Sequence, residues 1–427
     1  MLDPEMKKRF AGKRLLILGG AVQCAKVVEC ASEMGIHTIV TDWAKDSPAK
    51  KTADEALDFS VMDADALIEW IEHNPVDGVL NYCIDYAQMA HQQICEHFAF
   101  PCFGTREQYR ALNEKGRFKQ LCRENGVDVI PDYTLEDVAR GTVEYPVLVK
   151  PSDSSGSRGM TLCTCREEVA AAVAAAEKES KDGRAVIEKN MEGKQDFIVV
   201  YLFRNGRAHI VKTGDRYLGA KADGLERQAI CTICPSRFSL EYVRQVSPRV
   251  VRMLTRLGIK NGPVFLQGFI DGDTVRFYDP GIRFPGGEYD RCLKKATGLD
   301  IVRMMICYAL SGEIPEPETD IDSGYLLAGL SAVSLCIDAA PGEIGTYELD
   351  GAGRVEGMVQ VAKKADVGSV IPPSGDVKQR VAEIILLAEN NTETIKSRIR
   401  EVQSLISVRN TRGENMLVSA MDPELLS

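Results

Sequence analysis

The sequence predicts an α/β protein that opens with a small doubly wound parallel sheet. Three observations predict it. Short apolar runs alternate with amphipathic helical patterns over the first hundred residues, the rhythm of βαβ units. A Gly19-Gly20 pair closes the first apolar run, as expected where a strand turns tightly into a helix. From the middle of the chain, strand patterns flank Asn205-Gly206 and Asp271-Gly272-Asp273, the chemistry of β-hairpins. At 427 residues, with 44% hydrophobic and 27% charged residues, the chain has room for roughly two to four domains.

Each element follows from its residues. Arg14-Leu15-Leu16-Ile17-Leu18 is a buried strand, and Val22, Ala25, Val28, Ala31 and Met34 recur at helical spacing until Gly35. Thr38–Thr41 is the second strand, followed by a helix over 64–72 and a strand over 78–81. The turn Gly19-Gly20-Ala21-Val22-Gln23 lacks the G-x-G-x-x-G spacing, so packing of helix on sheet explains it better than a dinucleotide. A charged helix opens at Asn113-Glu114-Lys115 and stops at Gly126. A strand over 147–150 runs into Pro151–Gly159, and a strand resumes at Met160–Cys163. Thr164 and Glu167 have capping-box spacing ahead of a helix over 169–178, and a strand follows at 185–188. Hairpins are expected at 197–203 with 208–212, and at 264–270 with 274–278. A helix over 299–310 precedes the acidic, proline-bearing connection 312–324. Two further helices are expected, one from Val377, Val381, Ile384 and Ala388 and one from Ile395, Ile399, Val402 and Ile406.

Composition excludes several functions. Lys plus Arg number 52 against 62 Asp plus Glu, a formal charge of −10, which argues against nucleic acid as the main partner. The longest weakly polar stretch, Leu326 to Ile337, falls far short of the roughly 20 residues of a membrane span. The N-terminus shows no signal-peptide pattern, and the 13 scattered cysteines read as reduced thiols, so a cytoplasmic location is expected. Cys231 and Cys234 have no second pair at zinc-ribbon distance, and the five histidines form no metal or nucleophile motif.

The strongest chemical signal is Lys150-Pro-Ser-Asp-Ser-Ser-Gly-Ser-Arg-Gly-Met. A loop of small residues brings backbone N–H groups close to an anion, hydroxyls add donors, and a lysine at the strand end supplies a point charge. A phosphate site is favoured over a plain surface loop. It is no Walker P-loop, since G-x-x-x-x-G-K-[ST] is absent and a strand follows.

In the order of these features the chain resembles the ATP-grasp superfamily of carboxylate–amine ligases, in particular its carbamoyl-phosphate-synthetase-like and amino-acid-ligase-like members. The resemblance implies a pre-ATP-grasp doubly wound domain over 1–107, a two-lobed α+β ATP-grasp core over 108–320 with a flap near 145–190, and a small C-terminal α+β domain over 321–427. It makes Lys115 and Lys150 the nucleotide lysines, with Ser154, Ser155, Gly156 and Ser157 in the flap over the phosphates. Val186-Ile-Glu188-Lys189-Asn-Met191 resembles the adenine hinge, and Gln195 stands where many members have a ribose-binding glutamate. Gln267 and Asp279 match the metal positions, while Gly281 replaces the usual asparagine and brings no side chain; Asp290 or Glu288 could compensate. Arg283, followed by Gly286 and Gly287, resembles the acyl-phosphate arginine, and Arg216 is a candidate for the same cavity. The resemblance implies ATP and Mg²⁺, with Mn²⁺ an acceptable substitute, small carboxylate and amine substrates, and room for a homodimer. The implied activity is ADP-forming C–N ligation through an acyl phosphate. The alternatives are carboxyphosphate chemistry on bicarbonate and an ATP-binding module that has lost catalysis.

Overall fold

The computed structural model describes residues 4–152, 160–180, 182–219, 228–374, 377–418 and 420–426. The chain begins with four strands, β1 (Arg14–Leu18), β2 (His37–Thr41), β3 (Glu55–Leu57) and β4 (Gly78–Leu80), in the order β3-β2-β1-β4 and all parallel. Parallel pairing suits strands buried on both faces, and Leu15, Leu16, Ile17 and Leu18 are fully buried. Gly19 sits at φ +116° against Ile84, whose side chain lies 2.4 Å from where a Cβ would stand. The Gly20 amide donates to Asp42 Oδ2 at 2.8 Å. The donor that a dinucleotide phosphate would need is thus spent on the protein's own carboxylate. The helix Ile301–Ser311 returns from far along the chain to cover this sheet, packing on β4 and on the helix Val22–Glu33.

The second sheet is small and antiparallel. Its strands β5 (Asp132–Tyr133), β6 (Val147–Pro151), β7 (Thr161–Cys163) and β8 (Ala185–Lys189) are ordered β5-β8-β6-β7. Val147, Val149 and Ile187 meet Val169, Ala172 and Val173 of the helix Arg166–Glu179 beneath it. The cap of that helix differs from the sequence expectation. The Thr164 amide and hydroxyl donate to Glu168 rather than Glu167, because the helix starts at Arg166 with Cys165 as its cap.

The third sheet carries the site. Its strands in chain order are β9 (Asp196–Arg204), β10 (Arg207–Leu218), β11 (Ala229–Cys234), β12 (Gly262–Asp271), β13 (Thr274–Gly281) and β14 (Leu330–Asp338). After β15 (Gly342–Glu348), β16 (Met358–Lys363) and β17 (Val370–Ile371), β18 (Arg380–Glu389) completes it, and β19 (Ser407–Asn410) pairs with β15. The eight-stranded order is β13-β12-β9-β10-β11-β14-β18-β16. The β11–β14 pairing therefore makes one sheet from strands on both sides of residue 320.

One expected helix is a strand. Val381, Ile384 and Ala388 belong to β18, which is buried along almost its whole length. A continuous apolar run contains residues three and four apart by necessity, so helical spacing carries no information there. The second pattern is a helix, Thr392–Ser404, capped by the Asn391 side chain. All 13 cysteines are free thiols. Among the described residues, no helix is long and apolar enough to cross a membrane.

The N-terminal sheet and the late helix meet backbone to backbone. A Cβ on Gly78 would lie 2.3 Å from the Ala309 carbonyl oxygen, which cannot rotate away. Gly78→Ala should destabilise the protein by about 1–3 kcal/mol, read as a lower melting temperature. An unchanged melt would contradict this packing.

Candidate active site

Lys115 is the first residue of the helix Lys115–Glu124, and Lys119 follows one turn later on the same face. Lys150 sits near the end of β6, across from β8. The two elements converge on Glu188. Lys119 Nζ donates to its Oε1 at 2.6 Å, and Lys150 Nζ pairs with its Oε2. Glu188 is buried, which raises a carboxyl, but Lys150 and Lys119 outweigh that and hold it below the ordinary glutamate value. Lys115 is pushed down by burial and then by Lys150. Three ammonium groups therefore share one neighbourhood with Glu188, an arrangement suited to a polyphosphate.

The rest of the hinge is mostly engaged with its own lobe. The Lys189 amide donates to Pro131 and the Asn190 amide to Pro146, while Lys189 Nζ donates to Glu144 at 2.7 Å. Met191 is buried. The Gln195 side-chain amide donates to the Arg216 carbonyl at 2.8 Å and the Asp196 carbonyl at 3.1 Å. Ser154, Ser155, Gly156 and Ser157 lie outside the described residues.

Gln267 and Asp279 are cross-strand partners on β12 and β13. A bulge at Tyr278 shifts the register just beyond them, a device that re-aims side chains. The Tyr278 hydroxyl donates to Asp196 at 3.0 Å and accepts from Arg216 at 2.9 Å. Desolvation by the surrounding protein and then Asp85 raise the Asp279 carboxyl, although the residue keeps an exposed surface, and Arg283, Arg216 and Lys115 oppose them. Asp279 thus lies within electrostatic reach of both the lysine cluster and the arginines. Two hard oxygen donors on adjacent strands are a chemically suitable start for a Mg²⁺ site.

Gly281 pairs with Phe265 across the strands. A Cβ at 281 would lie 2.4 Å from the Phe265 ring, so the space of the missing asparagine is filled by an aromatic edge. The same ring carries the Arg283 guanidinium at 4.7 Å. Arg283 also donates through Nε and Nη2 to Asp85 Oδ1, at 3.1 and 3.0 Å, and through Nη1 to the Phe284 carbonyl at 3.0 Å. Glu288 and Asp290, the candidate substitutes for the asparagine, are committed elsewhere: Lys26 Nζ lies 3.8 Å from Glu288 and 2.7 Å from Asp290.

Arg216, Gln267, Arg283, Gly286 and Gly287 all line one cavity of about 540 Å³. The N-terminal region contributes Ala21 after β1 and Cys83 after β4, and the C-terminal strand β18 contributes Arg380 and Glu383. Sequence reasoning missed Lys119, Asp85, Phe265 and Lys212. Only Lys119 had a readable signal, its helical offset from Lys115.

Residues 143–277 match the ATP-grasp domain family. The chain carries an ATP-grasp domain. It is 24% identical over 273 residues to the formate-dependent phosphoribosylglycinamide formyltransferase of Oleidesulfovibrio alaskensis, covering 62% of this chain and 67% of that protein. Of two carboxylase subunits it matches, the chain spans only 25% and 37%. Its fold is similar to that of phosphoribosylglycinamide synthetase from Anaerococcus prevotii, with a TM-score of 0.77 and 16% identity over 93% of this chain and 100% of that one. It is also similar to L-amino acid ligase from Bacillus licheniformis, with a TM-score of 0.73 and 18% identity over 94% of this chain and 99% of that one. The ATP-grasp match contains Lys150, Glu188 and Gln267 but ends before Asp279 and Arg283.

The Phe265 edge makes Gly281 a packing requirement. Gly281→Asn should cost about 1–3 kcal/mol through overpacking, and a second change, Phe265→Ala, should recover part of that loss. A Gly281→Asn protein with an unchanged melt and tighter Mg-nucleotide binding would contradict this account.

Proposed function

We propose that the protein is an ATP-dependent, ADP-forming carboxylate–amine ligase that works through an acyl phosphate. The observation that carries the reading is the convergence of Lys115, Lys119 and Lys150 around Glu188, within electrostatic reach of Asp279, whose cross-strand partner Gln267 lines the cavity. Phosphoryl transfer needs positioning and charge neutralisation more than covalent help from the protein. The lysines would hold the phosphates while a carboxylate oxygen attacks the γ-phosphorus and ADP leaves. Arg283 and the Gly286-Gly287 backbone would then hold the acyl phosphate. An amine nitrogen attacks the acyl carbon, phosphate departs with the C–O electron pair, and the nitrogen loses its extra proton to solvent. Gln267 and Asp279 would bind Mg²⁺, or Mn²⁺ in its place, and the cation would offset charge on the triphosphate.

The 13 free thiols suit a reducing compartment, so the proposed location is the cytoplasm, and small molecules are the proposed partners. A homodimer is compatible with this reading. One observation favours a rival, an ATP-binding module without turnover: the Phe265 ring leaves no room for a third metal ligand at Gly281.

ADP release from Mg-ATP, measured across small acids and amines with and without bicarbonate, separates these readings. Release that requires both an acid and an amine supports the ligase; nucleotide binding without turnover supports the rival. Lys115→Ala and Lys150→Ala should each weaken ATP binding about 10-fold or more. Asp279→Asn should abolish ADP release while leaving the melt intact. Normal turnover by that variant would contradict the assigned site.

A further inference from the structure

Positive charge lines the cavity, and nearly all of it is already compensated. Arg216 is paired with Asp196 at 3.0 Å and Arg283 with Asp85 at 3.0 Å. Lys364 is paired with Glu383 at 3.3 Å and Arg380 with Asp338 at 3.1 Å. Of the two wall carboxylates, Glu383 is paired with Lys364, while Glu288 is paired through Oε2 with Arg291 Nε at 3.0 Å and keeps a buried Oε1 that has no hydrogen-bond partner among the described residues. Lys212 is the exception. It is 8% exposed and lines the same cavity, and its side chain makes no hydrogen bond and no ion pair among the described residues; Nζ approaches the Tyr289 ring at 4.7 Å in a cation–π contact.

The backbone aims this lysine. β9 and β10 pair in register until Ile210 opposite Tyr201, then skip Val211 and resume with Lys212 opposite Val200. The bulge turns the following side chain. The Tyr289 hydroxyl donates to the Val211 carbonyl at 3.0 Å, fixing the ring over which the ammonium rests. The nearby carboxylates are held by other groups: Asp290, which lines a small adjoining pocket with Lys212, pairs with Lys26 and accepts from the Tyr82 hydroxyl. Val200 faces it from β9, Cys234 comes from β11 and Cys292 from the helix Tyr289–Thr297, while Asp215 on β10 is spent on Ser236 and Arg237.

An uncompensated ammonium this deeply buried is costly unless an anion joins it. We propose that Lys212 seats a substrate carboxylate distinct from the group that ATP activates, so that at least one substrate carries a spare carboxylate. The single surplus positive charge matches one carboxylate better than a phosphate, which carries about −1.5 to −2. Two sources share this chemistry: the α-carboxylate of an amino acid that supplies the amine, and the second carboxylate of a dicarboxylic acid that supplies the acyl group. The inference rests on the ligase reading.

The test is calorimetry on the full chain with saturating Mg-ADP at constant ionic strength. Glycine, aspartate, succinate, glycinamide and inorganic phosphate are titrated separately into wild type, Lys212→Met and Lys212→Arg. The wild type should bind at least one of the three carboxylates saturably. Lys212→Met should bind it at least 10-fold more weakly and Lys212→Arg within a few-fold. Glycine binding without glycinamide binding identifies the amino-acid source; succinate binding without glycine binding identifies the dicarboxylate. Without ligand, Lys212→Met should melt at the same or a higher temperature, because it deletes an unpaired buried charge and keeps the stem; a lower melt would indicate a merely structural lysine and overturn the proposal. It is also overturned by no carboxylate binding to the wild type, by unchanged binding to Lys212→Met, or by a preference for phosphate. ATP affinity separates the two readings: wild type that binds ATP but no carboxylate sinks the Lys212 seat alone, whereas failure to bind ATP sinks the ligase reading.

Discussion

Buried positive charge is the constraint around which this protein is arranged. A buried cation is tolerated only with a partner, and the fold draws its partners from distant parts of the chain. Asp85, just after β4, holds Arg283 after β13. Lys26 in the first long helix holds Asp290 and approaches Glu288. Asp338 on β14 holds Arg380 on β18. Arg283, Glu288 and Arg380 line the cavity, and each is tied to a residue that lies off its wall. Breaking the Lys26–Asp290 or Arg380–Asp338 pair would strand a buried charge, an effect worth several kcal/mol, whereas the Arg283–Asp85 pair, with Asp85 largely exposed, is worth less. Against that background Lys212, whose side chain has no ion pair among the described residues, is conspicuous.

The departures from the usual ATP-grasp pattern are coupled rather than scattered. Gly281 brings no metal ligand, and the Phe265 ring lies across it. That ring is also the platform beneath Arg283. The glycine at 281 and the aromatic support of Arg283 are therefore one packing arrangement, and in the proposed reading Gln267 and Asp279 would be the oxygen donors on these strands. A site with few fixed ligands leaves more of the Mg²⁺ shell to water and triphosphate, which suits an ion that dehydrates reluctantly.

Much of this was legible in the sequence, and the rest was hidden for definable reasons. Lys150 stood at the end of an apolar strand before a Ser/Gly loop, and Gln267 and Asp279 flanked a readable hairpin turn. Lys119 could have been read from its i+4 offset to Lys115. Lys212 could not, because a bulge at Val211 leaves no local trace and strict alternation mispredicts the facing of everything beyond it. Asp85 and Arg283 are too far apart in sequence for any local pattern to join them. β18 was misread as a helix because a strand buried on both faces is apolar at every offset.

The central claim is that a carboxylate oxygen takes the γ-phosphoryl group and later leaves with it. The most direct measurement uses a carboxylic acid labelled with ¹⁸O in its carboxylate, the amine that supports ADP release, and Mg-ATP, with mass analysis of the phosphate released. Transfer of one ¹⁸O from the acid into phosphate is the predicted result. Phosphate that carries no label while ADP and product accumulate would contradict an acyl phosphate, and with it the roles assigned to Arg283 and the cavity.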